Sequence, residues 1–257
     1  MKLYQLIKRG HKYLNRLKAA FLVISGVHVN IKQIDLFVID YVFNKESALA
    51  SELIDEVMSF DASNFDFRVE SERAYPGNPE FSVKEYYNVM LKRYFFPSKF
   101  YCRNKEVLDS CSGLGWGSYI ISNYAKSVTS FDIDSSSSNS AKKTWNATNI
   151  DWVVGNALDP SFLSDSKFDV AFAMETIEHF SKADGILYIQ NLSNRLRKNG
   201  ILIGTSAFPL RVEDAIKLKA KNPYHLHIFT YSEIYQILNQ FFSEFTIVNN
   251  WMFIAKK

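Results

Sequence analysis

Cysteine is nearly absent from this 257-residue chain, and the two present, Cys102 and Cys111, exclude a disulfide framework and a cysteine-based metal centre. Glycine is scarce as well, at ten residues, and no internal repeat or low-complexity tract interrupts the sequence. Long apolar runs are missing. The best candidate, Ala19 to Val29, is broken by Ser25, Gly26 and His28 and falls short of the roughly 20 residues a membrane-spanning helix requires. No small-residue cleavage site follows it, so a signal peptide is not expected and a cytoplasmic location is. Acidic residues are absent from positions 1 to 34, which carry seven Lys or Arg. The remaining 23 basic and 27 acidic residues leave the body at a net charge of −4, which argues against nucleic acid as its partner.

What is present begins with a basic amphipathic helix. Leu3, Leu6, Ile7, Leu14, Leu17 and Phe21 share one stripe of residues 2–20, with the basic residues largely elsewhere. Such a helix packs on its own domain or a partner chain, or lies on a membrane surface, so residues 1–30 are the expected contact for a partner protein or a membrane. Residues 44–60 read as a second helix and 61–81 as irregular. Ser82 to Glu85, "SVKE", reads as a capping box opening a helix that Pro97 closes. A division into an N-terminal helical extension, 1–70, and a larger domain, 71–257, is expected.

From Glu106 onward strands and helices alternate. Strands are expected at 106–109, 127–132, 151–154, 168–174, 200–206, 244–249 and 251–256. The helices between them are expected near 116–125, 136–147, 183–197 and 231–241. That alternation predicts an α/β fold, a Rossmann-like doubly wound, seven-stranded, mostly parallel sheet. Only Asn249 and Asn250 separate the last two strands, which predicts an antiparallel hairpin.

Three of the ten glycines fall within five residues of one turn, "VLDSCSGLGWGS", Val107 to Ser118. The dinucleotide pattern Gly-x-Gly-x-x-Gly is not met from either Gly113 or Gly115, and the Lys-Ser/Thr pair of a P-loop is absent. The pattern present is acid-x-x-x-Gly-x-Gly. It suits a compact ligand tail approached closely by backbone, with Asp109 holding a cationic group. The next strand ends in Asp132, about 20 residues on, where an acid accepts hydrogen bonds from ribose hydroxyls. After the third strand Asn156 offers an amide to an adenine edge. Amino-acid tail, ribose and adenine together describe S-adenosylmethionine.

In these segments the sequence resembles the class I S-adenosylmethionine-dependent methyltransferases, nearest the subgroup that includes ubiquinone- and menaquinone-pathway enzymes. "FDID", "GNALD", "FDVAFAMETIEHF" and "LSNRLRKNGILIGTS" continue the likeness, and "SERAYPG…LKRYFF" resembles the subgroup's lead-in. The resemblance implies that Asp109, Cys111, Gly113 and Gly115 line the methionine end and that Asp132 takes the ribose. It implies that Ile133 packs on the adenine, that Asn156 and Ala157 meet its edge, and that Glu175 sits beside the methionine end. Cys111 stands where the first glycine is usual, and Asn156 where Asp is commoner.

The expected reaction is methyl transfer to a hydroxyl of a small molecule or saccharide, including a lipid-linked glycan. The alternatives are a quinone or aromatic acceptor, and a catalytically silent cofactor-binding scaffold. His179, past strand four, is the candidate base, acting with Glu175; its other reading is a positioning group for Glu175 or Glu178. "NPYHLHIFT", Asn222 to Thr230, reads as a substrate lid in which His225 and His227 share a face of an extended segment. A metal there would need carboxylates from elsewhere, and none is expected. Arg73, Tyr75 and Tyr94 are candidate pocket walls.

Overall fold

A computed structural model describes residues 12–21, 30–46, 50–60, 75 and 90–257. Arg73, the Ser82–Glu85 capping box and residues 2–11 of the basic helix lie outside them. So does the expected boundary at residue 70.

Seven strands form one sheet: β1 (Glu106–Ser110), β2 (Ser127–Asp132), β3 (Ile150–Val154), β4 (Phe168–Met174), β5 (Leu196–Thr205), β6 (Glu244–Val248) and β7 (Met252–Lys256). Their order is β3-β2-β1-β4-β5-β7-β6. β1 to β5 are parallel, and β7 runs antiparallel between β5 and β6. The chain moves outward through β1, β2 and β3, then returns to β1's other edge with β4. That reversal opens a crevice at the carboxyl ends of β1 and β4, where doubly wound sheets bind ligands.

Parallel strands covered on both faces read as apolar runs, and alternate residues supply two cores. Val107, Val128, Val170, Phe172 and Ile203 face one cluster; Leu108, Phe131, Ala171, Ala173 and Leu202 face the other. The first cluster takes in Ala19 and Ala20 of a helical stretch at 12–21, together with Val38, Ile39, Val42 and Phe43 of α1 (Leu36–Glu46) and Ile54 and Val57 of α2 (Ser51–Met58). Of the helix expected over 44–60, the described residues hold the last turn of α1 and the whole of α2, and residues 47–49 lie outside them. Further along are α3 (Lys92–Tyr101), α4 (Trp116–Ser122), α5 (Ser135–Thr144), α6 (Lys182–Arg195), α7 (Val212–Ala220) and α8 (Tyr231–Phe241). None of the helices among the described residues is long and apolar enough to cross a membrane.

Pro97 does not close its helix; α3 runs through it to Tyr101. Proline removes one backbone donor and crowds the carbonyl four residues back. Here Tyr94, Phe95, Phe96, Pro97 and Ser98 are all buried, and that packing holds the turn. Ser98 Oγ donates to the Tyr94 carbonyl at 2.6 Å, one position from the bond that Pro97 cannot make. The terminal hairpin forms as the two asparagines predict. Asn249 and Asn250 both take positive φ, 48° and 59°, the left-handed pair that a two-residue hairpin turn demands. Trp251 N–H closes the turn on the Val248 carbonyl at 3.1 Å.

Candidate active site

The glycine turn joins β1 to α4 at the crevice. Cys111, Gly113 and Gly115 all adopt left-handed φ, at 53°, 56° and 75°. For Cys111 that conformation is strained, and strain of this kind collects at functional sites. A cysteine is therefore accommodated at the usual glycine position, with its side chain on the cavity wall. Burial and the carboxylates of Asp132 and Asp109 push its thiol well above the usual range, so it stays protonated and unreactive.

Asp132 organises the loop from the end of β2. Its Oδ2 accepts from Gly113 N–H at 2.9 Å, and its Oδ1 accepts from Asp134 N–H at 3.0 Å. Ile133 beside it is 70% exposed, an apolar side chain at the cavity rim. The cavity holds about 470 Å³ and reaches from Asp132, Ile133 and Gly113 to Glu175, His179 and Tyr224.

Asp109 is fully buried below this turn. Ser118 Oγ donates to its Oδ2 at 2.5 Å, and Tyr94 also bonds to it. Burial pushes its carboxyl up to about 7, the Ser118 bond opposes that, the charge of Asp132 adds to it, and the Tyr94 bond opposes it. Its Oδ1 has no hydrogen-bond partner among the described residues. The cavity is not lined by Asp109, Gly115, Asn156 or Ala157. Gly115 is packed under Trp152, whose ring would lie 2.5 Å from a Cβ there. Asn156 Oδ1 accepts from Leu158 N–H at 2.9 Å, and Ala157 is buried, its carbonyl taking the Asn191 amide at 3.0 Å.

Gly117, the third glycine of the turn, has a steric role. A Cβ on it would sit 2.3 Å from the Tyr94 ring. Gly117→Ala is expected to destabilise the fold by about 2 kcal/mol through overpacking, which lowers the melting temperature by roughly 5 °C. Thermal unfolding of the variant checks this; an unchanged midpoint would show that Tyr94 moves aside freely.

The opposite wall comes from the end of β4. Glu175 leaves the strand with φ of 48°, its N–H held by the Thr205 carbonyl at 3.0 Å. Arg93 Nη1 lies 3.1 Å from Glu175 Oε1. Glu178 is 3% exposed. Burial and the charge of Glu175 push its carboxyl well upward, opposed by Ser206 and Arg93. The Glu178 carbonyl accepts from Leu226 N–H at 2.8 Å and from His227 N–H at 3.2 Å. Two backbone bonds thereby pin the 222–230 segment onto the turn carrying His179.

His225 meets His179, ring centroids 5.1 Å apart, whereas His227 turns to Glu233, at 3.4 Å, and to Phe229. The two therefore do not act as one face: His225 packs against His179, and His227 serves the start of α8. The His179 Nδ1 lies 3.3 Å from the Tyr224 carbonyl. A neutral ring donating from Nδ1 keeps its lone pair on Nε2. Tyr94 lines the cavity as expected, while the Tyr75 ring lies tilted against Phe60, centroids 5.9 Å apart, beside the neighbouring core. Arg93 and Tyr224 were not singled out from the sequence, since only the fold brings them to this wall.

Residues 107–200 match a family model described as a methyltransferase domain. Those residues carry a methyltransferase domain. Solved structures share its fold. A protein of Bacillus halodurans is 20% identical with a TM-score of 0.50, over 56% of this chain and 65% of that one, so the chain spans just under two thirds of that length. The N-methyltransferase NodS of Bradyrhizobium japonicum, in complex with S-adenosyl-L-homocysteine, is 16% identical with a TM-score of 0.52, over 80% and 95%. An O-methyltransferase family protein of Burkholderia thailandensis is 11% identical with a TM-score of 0.52, over 97% and 70%. No curated protein matches the chain by sequence.

The cofactor of this methyltransferase class is S-adenosylmethionine, and the cavity's residues fit it. The Asp132 carboxylate lies on its wall, Ile133 is exposed at the rim, and Gly113 lines it with a left-handed φ that a Cβ would strain.

Proposed function

We propose that this methyltransferase transfers a methyl group to a hydroxyl of a small polar acceptor, a saccharide or similar polyol, with His179 drawing off the hydroxyl proton. The observation that supports this reading is His179 on the same cavity as Asp132 and Ile133, at its other end, beside Glu175 and Tyr224. S-adenosylmethionine supplies an activated methyl on a sulfonium that leaves as a neutral thioether. The chain's own residues then have three tasks.

Asp132 and Ile133 fix one end of the cofactor, and the strained turn around Cys111 and Gly113 cradles its amino-acid tail. Alignment of this kind is the main source of acceleration in a displacement whose leaving group is already good. Asp109, sealed beneath the turn, braces it from below through Ser118. Tyr224 and the pinned 222–230 segment cover the acceptor end and exclude water. His179, its Nδ1 held by the Tyr224 carbonyl, presents Nε2 as proton acceptor. The acceptor oxygen forms the new bond to carbon, and its proton passes to the imidazole.

A wall that includes Glu175, Thr176, His179 and Tyr224 favours a hydroxylated acceptor over an apolar ring. His179→Ala is expected to keep affinity for S-adenosylhomocysteine while lowering turnover about 100-fold or more. Formation of S-adenosylhomocysteine is to be followed across polyhydroxylated acceptors; turnover unchanged in the variant removes His179 as the base.

A further inference from the structure

We infer that Glu178, His179 and His225 form a binding site for one divalent transition-metal ion of the zinc or cobalt type at the acceptor end of the cavity. One ligand atom from each of the three lies within 4.8 Å of the others. Small side-chain rotations bring three such atoms onto a common ion at about 2.1 Å.

The donor set suits the ion. Two imidazoles and one carboxylate are the ligands that zinc and its neighbours select, and calcium and magnesium favour all-oxygen sites. Three protein ligands with an open position is the arrangement of a metal site that takes substrate or water.

An independent feature points to a missing ligand. Glu178 is 3% exposed, yet its Oε2 has no hydrogen-bond partner among the described residues. A buried polar oxygen left so costs about 1–3 kcal/mol unless something binds it. The scaffold is rigid as well. Leu226 and His227 donate backbone bonds to the Glu178 carbonyl, so the segment carrying His225 is fixed against the turn carrying the other two ligands. No step need be invoked to assemble the site.

The role of the ion rests on the hydroxyl methylation proposed above and not on His179 as the base, a task that the bound ion takes over. Its open position faces the acceptor end, where a hydroxyl oxygen can occupy it and lose its proton more readily. A ring nitrogen of His179 cannot hold a proton and the ion at once. With the ion bound, His179 acts as a ligand and the hydroxyl's proton leaves to solvent or a neighbouring base.

The test uses the full chain, stripped with chelator and titrated with cobalt(II) chloride, and follows the visible absorption of the bound ion. One equivalent is expected to bind, with absorption showing nitrogen ligation. Glu178→Gln, which keeps the side chain's shape, and His225→Ala, on the surface segment, are each expected to weaken binding about tenfold or more. No binding, or binding undiminished by either substitution, overturns the inference. Binding of S-adenosylhomocysteine to the same sample reports separately on the methyltransferase reading, so the two fail distinguishably.

Discussion

Asp132→Ala is expected to weaken S-adenosylhomocysteine binding about 100-fold. The carboxylate sits at the end of β2, 6% exposed, on the cavity wall. A hydrogen bond to a charged acceptor contributes roughly 1.5–3 kcal/mol, and a ribose diol offers two. The substitution also frees Gly113 N–H, held now at 2.9 Å, and loosens the strained turn. Asp132→Asn separates these effects: the size is kept, but one acceptor becomes a donor, and an intermediate loss of about tenfold is expected. Calorimetric titration of both variants measures it. Wild-type affinity in Asp132→Ala would mean that the ligand does not reach β2.

Asp109→Asn is expected to stabilise the ligand-free protein at pH 8 and, by about a third as much, at pH 5. The carboxyl titrates at an ordinary 3.8 when exposed and at about 7 in the fold, chiefly because it is buried. Between those values the unfolded chain has released its proton and the folded chain has kept it. Stability therefore declines as pH rises from about 4 to 7 and levels off above, a total on the order of 4 kcal/mol from this group. Asparagine does not titrate and still accepts from Ser118, so it escapes the decline. The variant's melting temperature at pH 8 should exceed that of the natural protein by roughly 5 to 10 °C. If the carboxylate meets the cofactor's ammonium, the same variant should bind S-adenosylhomocysteine more weakly, a stability gain set against a functional loss. Identical midpoints at both pH values would show that Asp109 is ionised in the fold without cost.

The sheet could be read from the sequence because its rules are local. Apolar runs such as "FDVAFAM", a glycine turn after β1, and Asn249-Asn250 between two strands each specify their own piece. Where tertiary burial overrides a local rule, the reading failed. Pro97 signals a helix end, but the side chains around it are buried and the helix continues. α7 lay unassigned, with Val212 and Ile216 exposed and so no clear apolar stripe to mark it. The cofactor end was legible as residue types in order, Asp109, Gly113 and Asp132. That Asp109 would be sealed beneath the turn was not, because its burial depends on Ser118 and on Tyr94 from another helix. The acceptor wall was the least legible part. His179 and Tyr224 are 45 positions apart, and what joins their segments is a pair of backbone bonds to the Glu178 carbonyl, which leave no mark on side-chain spacing.

Calorimetric titration of the purified chain with S-adenosylhomocysteine tests the central claim most directly. One ligand per chain, with a dissociation constant in the micromolar range, is the predicted result. No measurable heat at millimolar ligand would contradict the assignment of the cavity to this cofactor, and with it the methyl transfer built upon it.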